Sequence, residues 1–267
     1  MRLGAGFFLL ACTSVSLLAY TDSDFDGVED EWDRCPQTPF SDLVDLDGCT
    51  VQRTGPQWHA DFLIGIGSSD VHYAAQRQSS TTTYSLQGDV YYRNWSFQVS
   101  ASRYASEIKS GMDDTLVALS YRHALSETLS LQTGAGLILP TYVSGYGNEA
   151  LDYTASADLH WRFAPDGYAF AGYGYVWVND TDTSSLSYRN SDTFRTGIGY
   201  EGMAKTDWSV RYDSGTSQYS HIPPIRSISV GVIRELSTHW FLQGGYTRYL
   251  GDTLGNYAST LRLGYYF

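Results

Sequence analysis

Basic residues are scarce in this chain: 17 Lys and Arg stand against 29 Asp and Glu, a formal net charge of −12 over 267 residues. A nucleic acid is held by cations that neutralise its phosphates, so this balance argues against nucleic-acid binding. Long apolar runs are missing as well. No stretch of about 18 apolar residues occurs, which excludes a membrane-spanning helix in the mature chain. It does not exclude a spanning strand, because only alternate residues of such a strand face lipid. Leu-rich helical patterning is lacking, and the glycines alternate within strand-like segments, so no Gly-rich phosphate loop precedes a helix. With only 3 Cys there is no dense disulfide framework. What the chain has in quantity is Gly (26), Tyr (22) and Trp (7).

Residues 1–19 combine Arg2, an apolar stretch and Ala19, and are expected to form a secretory signal peptide cleaved between Ala19 and Tyr20. Leu9–Leu10–Ala11–Cys12 also resembles a lipobox, in which Cys12 would become a lipidated first residue. After ordinary cleavage Cys35 and Cys49 remain, and an even pair in an exported chain implies a disulfide.

The negative charge is concentrated. Residues 21–50 hold eight Asp and two Glu against the single Arg34. A block of like charge is often a solvated tail, but here Asp22, Asp24, Asp26, Asp30 and Asp33 recur around Gly27 in the spacing that wraps a loop about one ion. Gly27 allows the sharp turn, and the Val28 carbonyl supplies a further oxygen. This segment resembles the thrombospondin type-3 repeat, D-x-D-x-D-G-x-x-D-x-x-D, and Cys35-Pro36, Thr38-Pro39 and Asp45-Leu46-Asp47-Gly48-Cys49 match bacterial versions of it. The resemblance implies a calcium-binding module over residues 20–52, with Asp45 and Asp47 joining the ligands Asp22, Asp24, Asp26, Val28, Asp30 and Asp33.

Residues 53–267 read as one all-β domain. Alternating segments of strand length recur, about twelve in all: 58–68, 83–92, 95–104, 115–123, 128–139, 151–162, 168–178, 193–201, 208–214, 225–234, 239–249 and 257–267. Short connections alternate with long ones, which predicts an antiparallel up-and-down transmembrane barrel with both termini on the short-turn, periplasmic side. One face carries aromatics at both strand ends, Trp58, Tyr92, Trp95, Trp161 and Trp208 at one level and Tyr84, Tyr153, Trp177 and Tyr257 at the other. Phe62, Ile64, Val99 and Val230 lie between them, giving two aromatic belts around an apolar band. The last segment, Tyr257–Phe267, resembles the C-terminal insertion signal of bacterial outer-membrane β-barrels. The resemblance implies an outer-membrane location, contact with its lipid, and delivery through the barrel-assembly machinery.

The opposite face is small and polar, with Gly65, Gly67, Ser100, Ser156, Gly197 and Ser229, and its charges balance in sign. Asp61, Asp89, Asp158, Arg211, Asp213 and Arg262 fall at similar depth counted from the periplasmic rim, and are expected to form a lumenal layer of ion pairs. That layer either satisfies charge inside a closed barrel or forms the constriction of a pore. Catalytic constellations are weak: Ser220 and His221 lie in a loop, with Asp180 and Asp182 in another, and nothing in the sequence fixes their geometry. The preferred expectation is a narrow passive pore for small solutes or ions, not an enzyme. The alternative is a structural or adhesive barrel with a closed lumen; an outer-membrane hydrolase is the weakest reading.

Overall fold

The computed structural model describes residues 33–35, 49, 58–71, 79–107, 109–142, 149–184, 186–202, 205–251 and 255–267. The chain separates into two compact units, Met1–Pro56 and Gln57–Phe267. In the first unit Cys35 and Cys49 are joined by a disulfide. Beside it the Cys35 amide donates to Asp33 Oδ1 at 2.7 Å. The expected signal peptide and the expected ligands Asp22, Asp24, Asp26, Val28, Asp30, Asp45 and Asp47 lie outside the described residues.

The second unit has strands and connecting turns and loops, and no helix, among its described residues. In chain order the strands are β1 (Trp58–Val71), β2 (Ser79–Tyr92), β3 (Trp95–Ser106), β4 (Ser110–Met112), β5 (Thr115–Ala124), β6 (Leu129–Leu139), β7 (Asp152–Arg162), β8 (Gly167–Trp177), β9 (Ser191–Gly202), β10 (Thr206–Gly215), β11 (Ile225–Glu235), β12 (Trp240–Leu250) and β13 (Gly255–Tyr266). Each pairs antiparallel with its neighbours, and β13 pairs with both β12 and β1, closing the sheet and leaving no edge. β4 and β5 share one place in the ring. β4 lies against Arg103–Ala105 of β3, and β5 against Trp95–Ser100 of the same strand. The barrel therefore has twelve staves.

Two departures from the sequence expectation have physical reasons. The stave expected as 115–123 begins at Ser110 and is interrupted at Asp113–Asp114, where the Asp113 amide donates to the Ser102 carbonyl at 2.9 Å and its carboxylate accepts the Ser102 hydroxyl. β1 runs to Val71 and β2 starts at Ser79, so much of the expected loop 69–82 is strand. Ser68–Asp70 and Ser79–Thr83 are polar on both faces, so the period-two signal fades where the hairpin projects past the apolar band. The β2–β3 turn is Arg93–Asn94, as the expected strand bounds 83–92 and 95–104 require, and it puts Arg93 at φ 53° with its guanidinium 5.4 Å from the Tyr92 ring centroid. A left-handed residue with a Cβ costs about 1 kcal/mol, and the cation–π contact offsets part of that.

Registers show which residues share a face. Phe62 stands opposite Gly88 and Tyr265, Ile64 opposite Leu86 and Leu263, and Ile66 opposite Tyr84 and Leu261. All of these are on the outer face, where Ile64 is 48% exposed, Leu261 50% and Ile198 60%. A water-soluble sandwich would bury such a face. Here it forms a continuous band, which lipid covers. The interior holds no packed core: among the described residues no large side chain is fully buried, and Leu63 and Phe241 are the buried apolar ones.

Candidate functional site: the barrel lumen

The inner wall is built from pairs in which a long side chain on one strand covers a glycine directly opposite on the next. Tyr168 faces Gly199, Phe170 faces Gly197, Phe241 faces Gly264, and Arg262 faces Gly65. A Cβ added to any of these four glycines would collide with the covering side chain. Each ring or stem thus lies along the wall, seated in the space its partner's missing Cβ leaves. Those four inward glycines are thus filled by a neighbour's side chain, whereas a Cβ at inward Gly174 would meet only the Ala155 carbonyl oxygen, at 3.9 Å. At the closing seam, Gly264 lies between Leu63 and Phe241, and the Phe241 ring stacks on Tyr266 with centroids 4.4 Å apart.

The charged residues fall into two groups. The first lies on β7, β9 and β10. Arg195 Nε and Nη2 donate to the two Asp158 carboxylate oxygens at 2.5 and 2.6 Å. This bidentate pair spans β8, passing over Gly172, which stands opposite both residues. A Cβ at Gly172 would overlap the Asp158 carboxylate and come within 2.9 Å of Arg195 Nε. Asp213 stands opposite Arg195 in register and accepts from Arg211 Nε at 2.8 Å. Asp158, Arg195, Asp213 and Arg211 therefore form a ladder of alternating sign along one wall. Following the registers sideways from Asp158 leads through Gln132 to Arg122, which extends the alternation.

The second group lies at the seam on β1, β2 and β13. Asp61 stands directly opposite Asp89, and Arg262 stands two inward pairs further along, opposite Gly65. Arg262 Nη1 donates to Gln87 Oε1 at 3.2 Å, and Gln87 Nε2 donates to Asp89 Oδ2 at 2.8 Å. The guanidinium thus reaches the acid pair through a glutamine. Of the six residues expected in one layer, Asp158, Arg211 and Asp213 belong to the ladder, and Asp61, Asp89 and Arg262 to the seam. Arg195, which is not one of those six, is the direct partner of Asp158. At the short-turn rim Arg162 makes a bidentate pair with Glu201 at 3.2 and 3.0 Å.

The other mouth is acidic. Asp114 Oδ1 accepts the Tyr142 amide at 3.0 Å, Asp180 Oδ1 accepts the Ala150 amide at 3.4 Å, and Asp152 Oδ1 accepts the Asn179 amide at 2.7 Å. Burial, and then the neighbouring Asp152 charge, push both Asp114 and Asp180 above the ordinary carboxylate range. The loop residues weighed for hydrolysis lie on this side as well. Asp182 spends its two oxygens on the Ser187 hydroxyl and the Tyr188 amide, and the Ser220 amide donates to the Ser187 carbonyl.

No protein-family model matches the chain, and no curated protein does. Solved structures do. A crystal structure of an outer membrane channel from Pseudomonas putida F1 superposes with a TM-score of 0.62 at 13% identity, over 79% of this chain and 95% of that one. The NanC porin superposes with a TM-score of 0.52 at 14% identity, over 78% of this chain and 98% of that one. The fold is that of outer-membrane channels. At such identities the likeness is one of fold, and what passes through this lumen has to be argued from its own residues.

Proposed function

We propose that this protein is a narrow passive pore of the bacterial outer membrane, admitting small polar solutes or ions. The observation that carries this reading is an inner wall left wet inside a closed barrel: the side chains of Arg195 and Arg211 keep 39% and 45% exposure although both point inward. A barrel closed for purely structural ends would bury such groups against one another. Twelve staves give a bore between that of eight-stranded barrels, filled by side chains, and that of wide porins. The paired charges of the ladder cancel locally, so the field along the wall is weak and selectivity is set mainly at the acidic mouth, as a modest preference for cations. Purified protein in planar bilayers shows small conductance steps on this reading. Arg211→Ala with Arg262→Ala unmasks Asp213 and the acid pair and moves selectivity further toward cations. A silent bilayer for both wild type and double variant returns the barrel to the structural or adhesive alternative.

We further propose that the N-terminal segment binds Ca²⁺ through Asp22, Asp24, Asp26, Asp30, Asp33, the Val28 carbonyl, Asp45 and Asp47, as its spacing around Gly27 suggests. Asp33 is the one described member of the set. Its Oδ1 takes the Cys35 amide beside the disulfide and its other oxygen remains for a cation, an arrangement compatible with the role. Calorimetry on the oxidised full chain tests it: Asp24→Ala with Asp26→Ala abolishes the Ca²⁺ heat, and an unchanged heat refutes the assignment. The aromatic-ended β13 is proposed as the strand read by the barrel-assembly machinery.

A further inference from the structure

Cations on a lipid-facing surface are costly at mid-membrane and tolerated only near an interface. In a chain of net charge −12 they are also the scarcer sign. Yet the outer face carries Arg103, Arg226 and Arg248, all exposed, near the ends of β3, β11 and β12 away from the termini. Arg103 stands opposite Tyr84, itself outward and 53% exposed. Arg226 stands opposite Leu250 and Arg248 opposite Ile228, so these two are diagonal neighbours on adjacent strands. Among the described residues none of the three has a carboxylate partner; Arg248 Nη1 donates to the Asn256 carbonyl at 3.0 Å.

A second, independent feature meets Arg103. The outer face from β12 through β13, β1 and β2 to β3 is hollowed into a groove of about 620 Å³, within the range of small-molecule sites. Ala101 is among its lining residues, and its walls include Ile66, Leu86, Met112, Leu261 and Leu263, with Arg103 the charged residue that lines it. An apolar trough with one unpaired guanidinium matches an amphiphile that has an acyl chain and an anionic head. Guanidinium favours phosphate because its donors form a planar fork that meets two oxygens at once.

We propose that this surface binds a phosphate-bearing lipid of the outer leaflet, with a phosphate on Arg103 and an acyl chain in the groove, and that Arg226 with Arg248 holds a second phosphate. The proposal rests on the barrel standing in the outer membrane but not on its lumen conducting. Native mass spectrometry of the folded full chain in detergent, titrated with diphosphoryl lipid A, tests it. Wild type retains the lipid. Arg103→Gln weakens retention roughly tenfold, the loss of a charge-assisted bidentate contact worth a factor of that order, and Arg226→Gln with Arg248→Gln removes a second bound equivalent. Met112→Trp, which fills the groove and leaves the charges intact, also weakens retention. Fully dephosphorylated lipid A binds wild type and Arg103→Gln equally. Heat-modifiable gel migration shows that each variant is folded, and Arg103→Gln keeps wild-type conductance, which separates this site from the pore. Unchanged retention in Arg103→Gln, or equal binding of phosphorylated and dephosphorylated lipid, overturns the proposal. Competition by inorganic phosphate alone at matched concentration overturns the role given to the groove.

Discussion

The two faces of this barrel use the same residues in opposite ways. On β8 and β9, Tyr168 and Gly199 face inward while Tyr173 and Tyr200 face outward. The inward tyrosine lies over its glycine partner and donates its hydroxyl to Asp207 at 2.8 Å. The outward ones stand free of the wall, Tyr200 at 52% exposure. Outside, solvating lipid supplies the packing, so a side chain needs no seat in the protein. Inside, no lipid supplies that packing, so a ring finds its contact on the next strand, and a glycine provides it. Inward Gly199 is therefore a seat for a ring, whereas outward Gly88, where a Cβ would meet only Phe62 at 4.0 Å, is spare surface.

The sharpest break of that contrast is a charge placed on each side of one strand. Val99 is outward, opposite Val117, and Ser100 beside it is inward, opposite Gln87. Val99→Arg is expected to cost about 2–4 kcal/mol of barrel stability and Ser100→Arg distinctly less. Urea unfolding in micelles measures both, and equal losses would invert the face assignment for β3.

Matched glycine substitutions come next. Gly264→Ala drives a methyl group into the Phe241 ring at the seam and is expected to cost about 1–3 kcal/mol, the usual range for overpacking. Gly88→Ala, where a Cβ meets only Phe62 at 4.0 Å, is expected to leave stability within about 0.5 kcal/mol. The same unfolding assay compares them. Gly172→Ala is a milder probe of the inner wall, because the displaced Asp158–Arg195 pair is partly solvated. About 1 kcal/mol is expected there, together with altered conductance in bilayers as the two charges separate.

The smallest expected effect is the pH response of the mouth. Asp114 and Asp180 have folded pKa values raised above the ordinary 3.8, chiefly by burial. A carboxyl raised on folding favours the folded mouth at pH below its unfolded value, and that contribution is lost as pH rises through the raised folded value. The mouth loops should therefore be better protected from proteolysis just above pH 4 than at pH 7, and Asp180→Asn should flatten the difference. Cation preference should follow the opposite trend, growing as these acids ionise.

Much of this was legible in the chain. Face assignment was, because a strand's side chains alternate and the sequence alternates with them: Trp58, Phe62 and Ile64 against His59, Asp61 and Gly65. The number of staves was, because each crossing ends in a turn. The fate of the six lumenal charges was not. Counting residues from a rim assigns each charge a place on its own strand, but a partner is chosen across strands, by register and by which neighbour lacks a side chain. Arg195 meets Asp158 because β8 offers Gly172 between them, and nothing within β7 or β9 announces that glycine. The break at Asp113–Asp114 was hidden for a similar reason, since it is defined by the bonds β3 makes to each side of it.

By itself, then, the sequence determined what is local to a strand: which residues meet lipid, which meet the lumen, and where the chain turns back. Only closure of the barrel decided what is shared between strands. Joining β13 to β1 sets every register at once. Those registers seat Phe241 on Gly264, divide the charges between the Asp158–Arg195–Asp213–Arg211 ladder and the Asp61–Asp89 seam, and bring Arg103 to the groove formed by β12, β13, β1, β2 and β3.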